Sequence, residues 1–195
     1  MLTLVERGPP GLLISGAAGM GKTLVWSDAI GVARSTRMRV ISTRPAEPDG
    51  GAAFAGLRDL IGEAAPDVLA VLPAPQRRAL AVVLLLDELG DGPVDPHVVS
   101  ASVVSVLRAL RDGGSLVIAV DDAQWLNAPS RDALAFALRR MDNVERVGLL
   151  ATSRPVGAAV ATLAGGLPSD SPSSGWSSGR SASPPCTASW STAWA

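Results

Sequence analysis

The chain has 195 residues, 47% of them apolar and 18% charged, with a formal net charge of −1, enough to bury one core with a small appendage. That balance lacks the basic footprint that a phosphate backbone demands, so direct nucleic-acid binding by these residues is not expected. A single cysteine, Cys186, and a single histidine, His97, exclude an internal disulfide and any site built on paired histidines or cysteines, which suits a reducing, cytoplasmic setting.

Gly11–Ser15 is a short apolar run that breaks into glycines and reads as a buried strand. The stretch from Lys22 to Ala33 reads as the helix after it, and Met38–Thr43 as a second strand stopped by Pro45 and the turn at Pro48–Gly51. Phe54, Leu57, Leu60 and Ile61 recur at helical spacing, predicting an amphipathic helix over Ala52–Ala65. Further helices are predicted over Gln76–Leu86 and Val98–Arg111, separated by a loop at Gly90–Pro96, with His97 a surface or capping residue. The apolar run Leu80–Leu86 is the best in the chain and falls far short of the roughly 18 residues of a membrane span. At the N-terminus Glu6 and Arg7, followed by a glycine-rich loop, argue against a signal peptide. Leu116–Val120 is a fully apolar strand ending in two aspartates. Asn127 then caps a helix with Leu134, Leu138 and Met141 on one face, and Val147–Ala151 is a fourth strand. Strands alternating with helices predict a parallel sheet covered on both sides.

Gly16-Ala17-Ala18-Gly19-Met20-Gly21-Lys22-Thr23 fits G-x-x-x-x-G-K-[ST]. Glycines let successive backbone N–H groups turn inward around a β-phosphate, and the next helix adds the positive end of its dipole. Lys22 is placed to reach the β- and γ-oxygens, and the Thr23 hydroxyl to ligate magnesium. Lys22 is the only lysine among 17 basic residues, and it falls where a compact ammonium is needed in place of a planar guanidinium. A nucleoside triphosphate with Mg2+ is therefore the expected ligand. Leu116–Asp122 has the form of a strand rising beside the phosphate loop and delivering Asp121 to the magnesium shell, with Asp122 available to orient or deprotonate water. If the strand ending in Thr152-Ser153-Arg154 lies between those two, Thr152 or Ser153 faces the γ-phosphate and Arg154 senses it. The plainer reading is a strand exit with a surface arginine. Trp125 reads as core packing, and Arg139 and Arg140 as complements to a helix dipole.

Val120-Asp121-Asp122-Ala123-Gln124-Trp125-Leu126, the Leu134–Arg140 helix, Ala151-Thr152-Ser153-Arg154-Pro155 and the Phe54-Ala55-Gly56-Leu57 region together resemble the ATPase domain of large ATP-binding LuxR-type transcriptional regulators, within the AAA-like signal-transducing P-loop group. The resemblance covers about residues 11–165. It implies an α/β fold, a P-loop NTPase three-layer sandwich with a mainly parallel sheet in the order 5-1-4-3-2, and a nucleotide-controlled switch whose nucleotide is ATP, with slow hydrolysis. It also allows self-association through the ATPase domain. Asn127 stands where the family usually has aspartate. The family's leading Gly-Arg-Glu segment is not found before the loop strand, and its helical sensor and DNA-binding regions are not found after it.

The division expected is an incomplete ATPase domain over 1–165 and a low-complexity, disordered tail over 166–195, about a third serine. Reading the codons of Trp176, Trp190 and Trp194 one base early turns each into an apolar residue, which invites the hypothesis of a frame-shifted tail. The segment so lost would supply the fifth strand, leaving the phosphate-loop strand as a sheet edge and the protein prone to aggregation. Two rival readings accompany this one: a nucleotide-binding interaction module without useful hydrolysis, and a small-molecule kinase. The latter is disfavoured because no arginine-rich lid is evident.

Overall fold

The computed structural model describes residues 2–5, 11–46, 53–87, 94–112, 114–141, 146–154 and 162–163. The tail over 166–195 and the turn at 48–51 lie outside them, as does most of the loop at 90–96. Five strands form one sheet: β1 (Leu2–Val5), β2 (Gly11–Ser15), β3 (Arg39–Thr43), β4 (Leu116–Val120) and β5 (Val147–Ser153). They lie in the order β1-β2-β5-β4-β3. The last four are parallel and make the α/β P-loop NTPase arrangement expected, whereas β1 runs antiparallel to β2 from Leu2 opposite Ile14 to Val5 opposite Gly11.

One expectation changes here. The strand before the phosphate loop is not an edge, because β1 occupies its outer flank. The aggregation argument built on that exposed edge loses its premise. β5 lies between β2 and β4, so the four parallel strands follow the 1-4-3-2 part of the expected order.

The middle strands are buried along their whole length, the condition that makes a parallel strand read as an unbroken apolar run. Pleating sorts their side chains between two layers. Leu116, Ile118, Val120, Val147, Leu149 and Ala151 join the larger core. Val117, Ala119 and Leu150 join Trp26, Ala29, Ile30 and Ala33 of helix α1 (Lys22–Ser35) on the other face. The larger core is roofed by α2 (Ala55–Ile61), α3 (Ala65–Leu69), α4 (Ala74–Val83), α5 (Pro96–Arg111) and α6 (Ala128–Leu138). In α5, Val99, Val103, Val106, Leu107 and Leu110 form the inward stripe.

The helix ends follow local chemistry. Asp95 caps α5 by accepting from His97 N at 2.8 Å, so the cap is Asp95 itself. Asn127 caps α6, accepting from Ser130 N at 3.1 Å, as expected. The helix predicted over Ala52–Ala65 is instead α2, a 3-10 turn at Gly62–Ala64, and α3. Pro66 has no N–H for the Gly62 carbonyl and its ring crowds that carbonyl, so the helix tightens and restarts. Helices α1 and α4 end in paired reverse bonds, Met38 N to Ala33 O with Arg37 N to Arg34 O, and Leu86 N to Ala81 O with Leu85 N to Val82 O. This closure needs a left-handed residue. Arg37 (φ 63°) and Leu85 (φ 58°) supply it without being glycine.

Candidate functional site

The phosphate loop spans the turn from β2 into α1. Gly19 and Gly21 hold φ of 78° and 77°, values open to glycine and strained for other residues. Gly16 N donates to Ser153 O at 3.2 Å, which ties the start of the loop to the end of β5. Gly21 is the N-cap of α1; no side chain caps this helix and its first turn holds no acid, so the positive end of the dipole faces the loop uncompensated. Lys22 Nζ donates to Ala17 O at 2.9 Å and so lies across the loop. Thr23 is exposed beside it, as are Met20 and Leu24.

Strand alignment brings the remaining candidates to the same end of the sheet. Ser15 is level with Ser153, Ala151 with Val120, and Val120 with Thr43. Asp121 therefore emerges between Thr152 and Arg44. It is 1% exposed, its N–H donates to Thr43 O at 3.0 Å, and its Oδ1 accepts from the Thr152 hydroxyl. Arg44 Nε lies 3.0 Å from Asp121 Oδ2, but the N–H is not aimed at that oxygen, which has no aligned donor among the described residues. The pair is a charge contact, from a guanidinium that also lies 5.5 Å over the Trp26 ring. Thr43 Oγ1 is a second buried oxygen without a described partner.

Asp122 is half-buried in left-handed geometry (φ 52°), a conformation aspartate tolerates better than most residues. Its N–H donates to Thr152 Oγ1 at 2.8 Å, and its Oδ1 accepts from Gln124 Nε2 at 2.9 Å. Gln124 Oε1 accepts from the Arg154 N–H at 3.1 Å, and the exposed Arg154 guanidinium lies 5.4 Å over Trp125.

Each motif residue thus lies at one end of the sheet, but two hydroxyls are placed differently from expectation. Thr152 serves Asp121 and Asp122, while Ser153 donates to Arg154 O at 2.7 Å. Both hydroxyls are engaged among the strand ends, where the sequence reading aimed them at a γ-phosphate. Trp125, expected in the core, is instead half-buried outside both core clusters, with the Arg154 guanidinium over its ring. The sequence assigns no role to Arg44, nor to Gln124 beyond its place in the Val120–Leu126 segment. The level of Arg44 follows from the β3–β4 register, one step past Thr43 opposite Val120. Gln124 carries no sequence signal for its two bonds.

A buried carboxylate oxygen without an aligned donor, with an exposed threonine hydroxyl at the phosphate loop, is a hard-oxygen donor set of the kind magnesium takes. Among the described residues there is no cluster of three or more His, Cys, Asp or Glu. A cation here would therefore draw its other ligands from water and phosphate, as magnesium does in nucleotide sites. No helix among the described residues is long and apolar enough to cross a membrane.

Residues 2–150 match the profile of the family described as AAA ATPase domain. Among solved structures the chain is similar to Drosophila ORC bound to AT-rich DNA and Cdc6, at 13% identity and a TM-score of 0.36, covering 77% of this chain and 45% of that one. For Drosophila ORC bound to GC-rich DNA and Cdc6 the values are 15%, 0.43, 77% and 46%. For Drosophila ORC bound to DNA they are 13%, 0.38, 77% and 74%. The chain spans less than half the length of the first two, and overlaps this loose support no statement about partners. No curated protein matches the sequence.

Proposed function

Because the chain belongs to the AAA ATPase domain family, we propose that it binds ATP with magnesium and acts as the nucleotide-controlled switch of a LuxR-type transcriptional regulator, hydrolysing ATP slowly. The observation that carries this reading is the alignment of the glycine loop, Lys22 and the uncapped start of α1 with the buried Asp121, two strands away at the same end of the sheet. In this assignment the backbone of residues 16–21 wraps the β-phosphate. Lys22 exchanges Ala17 O for phosphate oxygens, and Thr23 with Asp121 would hold magnesium, which neutralises charge on the phosphates when bound. Asp122 orients and deprotonates water, and Arg154, exposed at the end of β5, faces the γ-phosphate. Thr152 holds the acid pair in place, and Ser153 fixes the strand end that anchors Gly16. We assign the switch to residues 1–165, with 166–195 outside it, and self-association as its means of output.

The deciding experiment is equilibrium binding of ATP with Mg2+ to the wild type and to Lys22→Ala. Loss of binding by a factor of a hundred or more is expected on the order of the charge-assisted contacts removed; equal binding refutes the assignment. A second reading, a switch without useful hydrolysis, is favoured by Arg44 standing against Asp121 where a cation would go. Phosphate release unaffected by Asp122→Asn, with ATP binding retained, selects it.

A further inference from the structure

Gln124 lies on the 3-10 turn Ala123–Trp125, two residues past Asp122, and both ends of its amide are used. The Asp122 carboxylate only accepts and the Arg154 backbone N–H only donates, so a single orientation of the amide satisfies both. No other side chain of this length does so. Glutamate would set one carboxylate against another, and lysine or arginine has nothing to accept the Arg154 N–H. Each of the two groups it joins has a second contact, Asp122 through its N–H on Thr152 Oγ1 and Arg154 through its guanidinium over Trp125 of the same turn. The turn after β4 and the end of β5 are thereby closed into one unit.

We infer that Gln124 is a positioning residue that makes the orientation of the Asp122 carboxylate depend on where Arg154 stands. The inference rests on the assignment of Asp122 as the acid that faces water. In hydrolysis the water oxygen bonds to the γ-phosphorus while the bond from that phosphorus to the β,γ-bridging oxygen breaks. A water proton passes to Asp122, and ADP leaves with the bridging electron pair. With Oδ1 held by Gln124, Oδ2 is the oxygen that receives the proton. Movement of Arg154 toward a third phosphate draws on Gln124 through the Arg154 N–H and turns the carboxylate with it. ADP, lacking that phosphate, leaves the acid in its resting orientation.

The test uses the full chain as wild type, Asp122→Asn, Gln124→Leu, Gln124→Glu and the double variant Asp122→Asn/Gln124→Leu, assayed for ATP binding and for phosphate release with Mg–ATP. Gln124→Leu is expected to lower kcat on the order of 10- to 100-fold, the usual effect of a misplaced catalytic group, while the Kd for ATP moves by less than about threefold. Gln124→Glu should be at least as slow. The double variant should be no slower than Asp122→Asn, because a residue acting through Asp122 has nothing left to act on. Wild-type turnover in both Gln124 variants, or losses that multiply in the double variant, overturns the inference. If Asp122→Asn turns over like wild type, the hydrolytic assignment falls instead. Thermal unfolding of the same proteins then decides the bridge: melting temperatures that fail to add across the cycle support it, and strict additivity overturns it.

Discussion

Thr152→Val is the sharpest test of how the acid pair is held. Thr152 is fully buried, and its hydroxyl donates to a carboxylate that is 1% exposed and accepts the Asp122 N–H. Valine matches threonine in shape, so no cavity opens and the change isolates the hydroxyl. The bond to a charged acceptor is worth about 1.5–3 kcal/mol, and the stranded N–H adds about 1 kcal/mol more. The sum, about 2.5–4 kcal/mol, corresponds to a fall in melting temperature of roughly 10 °C for a domain of this size. Thr152→Ser keeps both bonds and gives up one buried methyl, about 1 kcal/mol. Urea and thermal unfolding of the three proteins measure both steps. The reasoning is refuted if Val lies within about 0.5 kcal/mol of wild type, or if Ser is as damaging as Val.

Gly56 sits in α2, where an added Cβ would lie 2.3 Å from Leu126 Cδ1. Leu126 is 2% exposed and must repack within the core to make room, so Gly56→Ala should destabilise by about 1–2 kcal/mol by overpacking despite alanine's better helix propensity, as read in a urea melt. Arg37→Gly should raise the melting temperature by about 1–3 °C, since it relieves a left-handed cap at an exposed position at some cost in chain entropy; a lower value contradicts the capping account. Arg44→Ala removes the cation standing against Asp121. It is expected to lower the Mg2+ concentration needed for half-maximal ATP binding, and an unchanged Mg2+ requirement counts against competition at that oxygen.

The parts of this fold that sequence reveals are those where burial or spacing leaves a mark. Strands β4 and β5 are covered on both faces and so are continuous apolar runs, and the loop Gly16–Thr23 is written in residues that its geometry demands. Strand β1 left no such mark: four residues, Leu-Thr-Leu-Val, acquire meaning only through pairing with β2. The left-handed ends at Arg37 and Leu85 were hidden because the expected glycine is absent, and α2–α3 because apolar spacing continues through a backbone that Pro66 interrupts. At the site, Lys22, Asp121 and Asp122 are read from local spacing. The partners Arg44 and Gln124 are set by register and by a turn closing on a strand 30 residues away, which no local pattern encodes.

The direction of β1 has a geometric consequence. Leu2 pairs with Ile14 and Val5 with Gly11, so the chain enters the sheet at the end where the phosphate loop leaves it, and the ladder begins one residue before Ser15. Whatever is attached ahead of Leu2, whether a tag, a tether to a surface or a preceding stretch of protein, emerges beside the mouth of the nucleotide site. A pull there opens the β1–β2 ladder one pair at a time, starting with Leu2 and Ile14, two residues before Gly16.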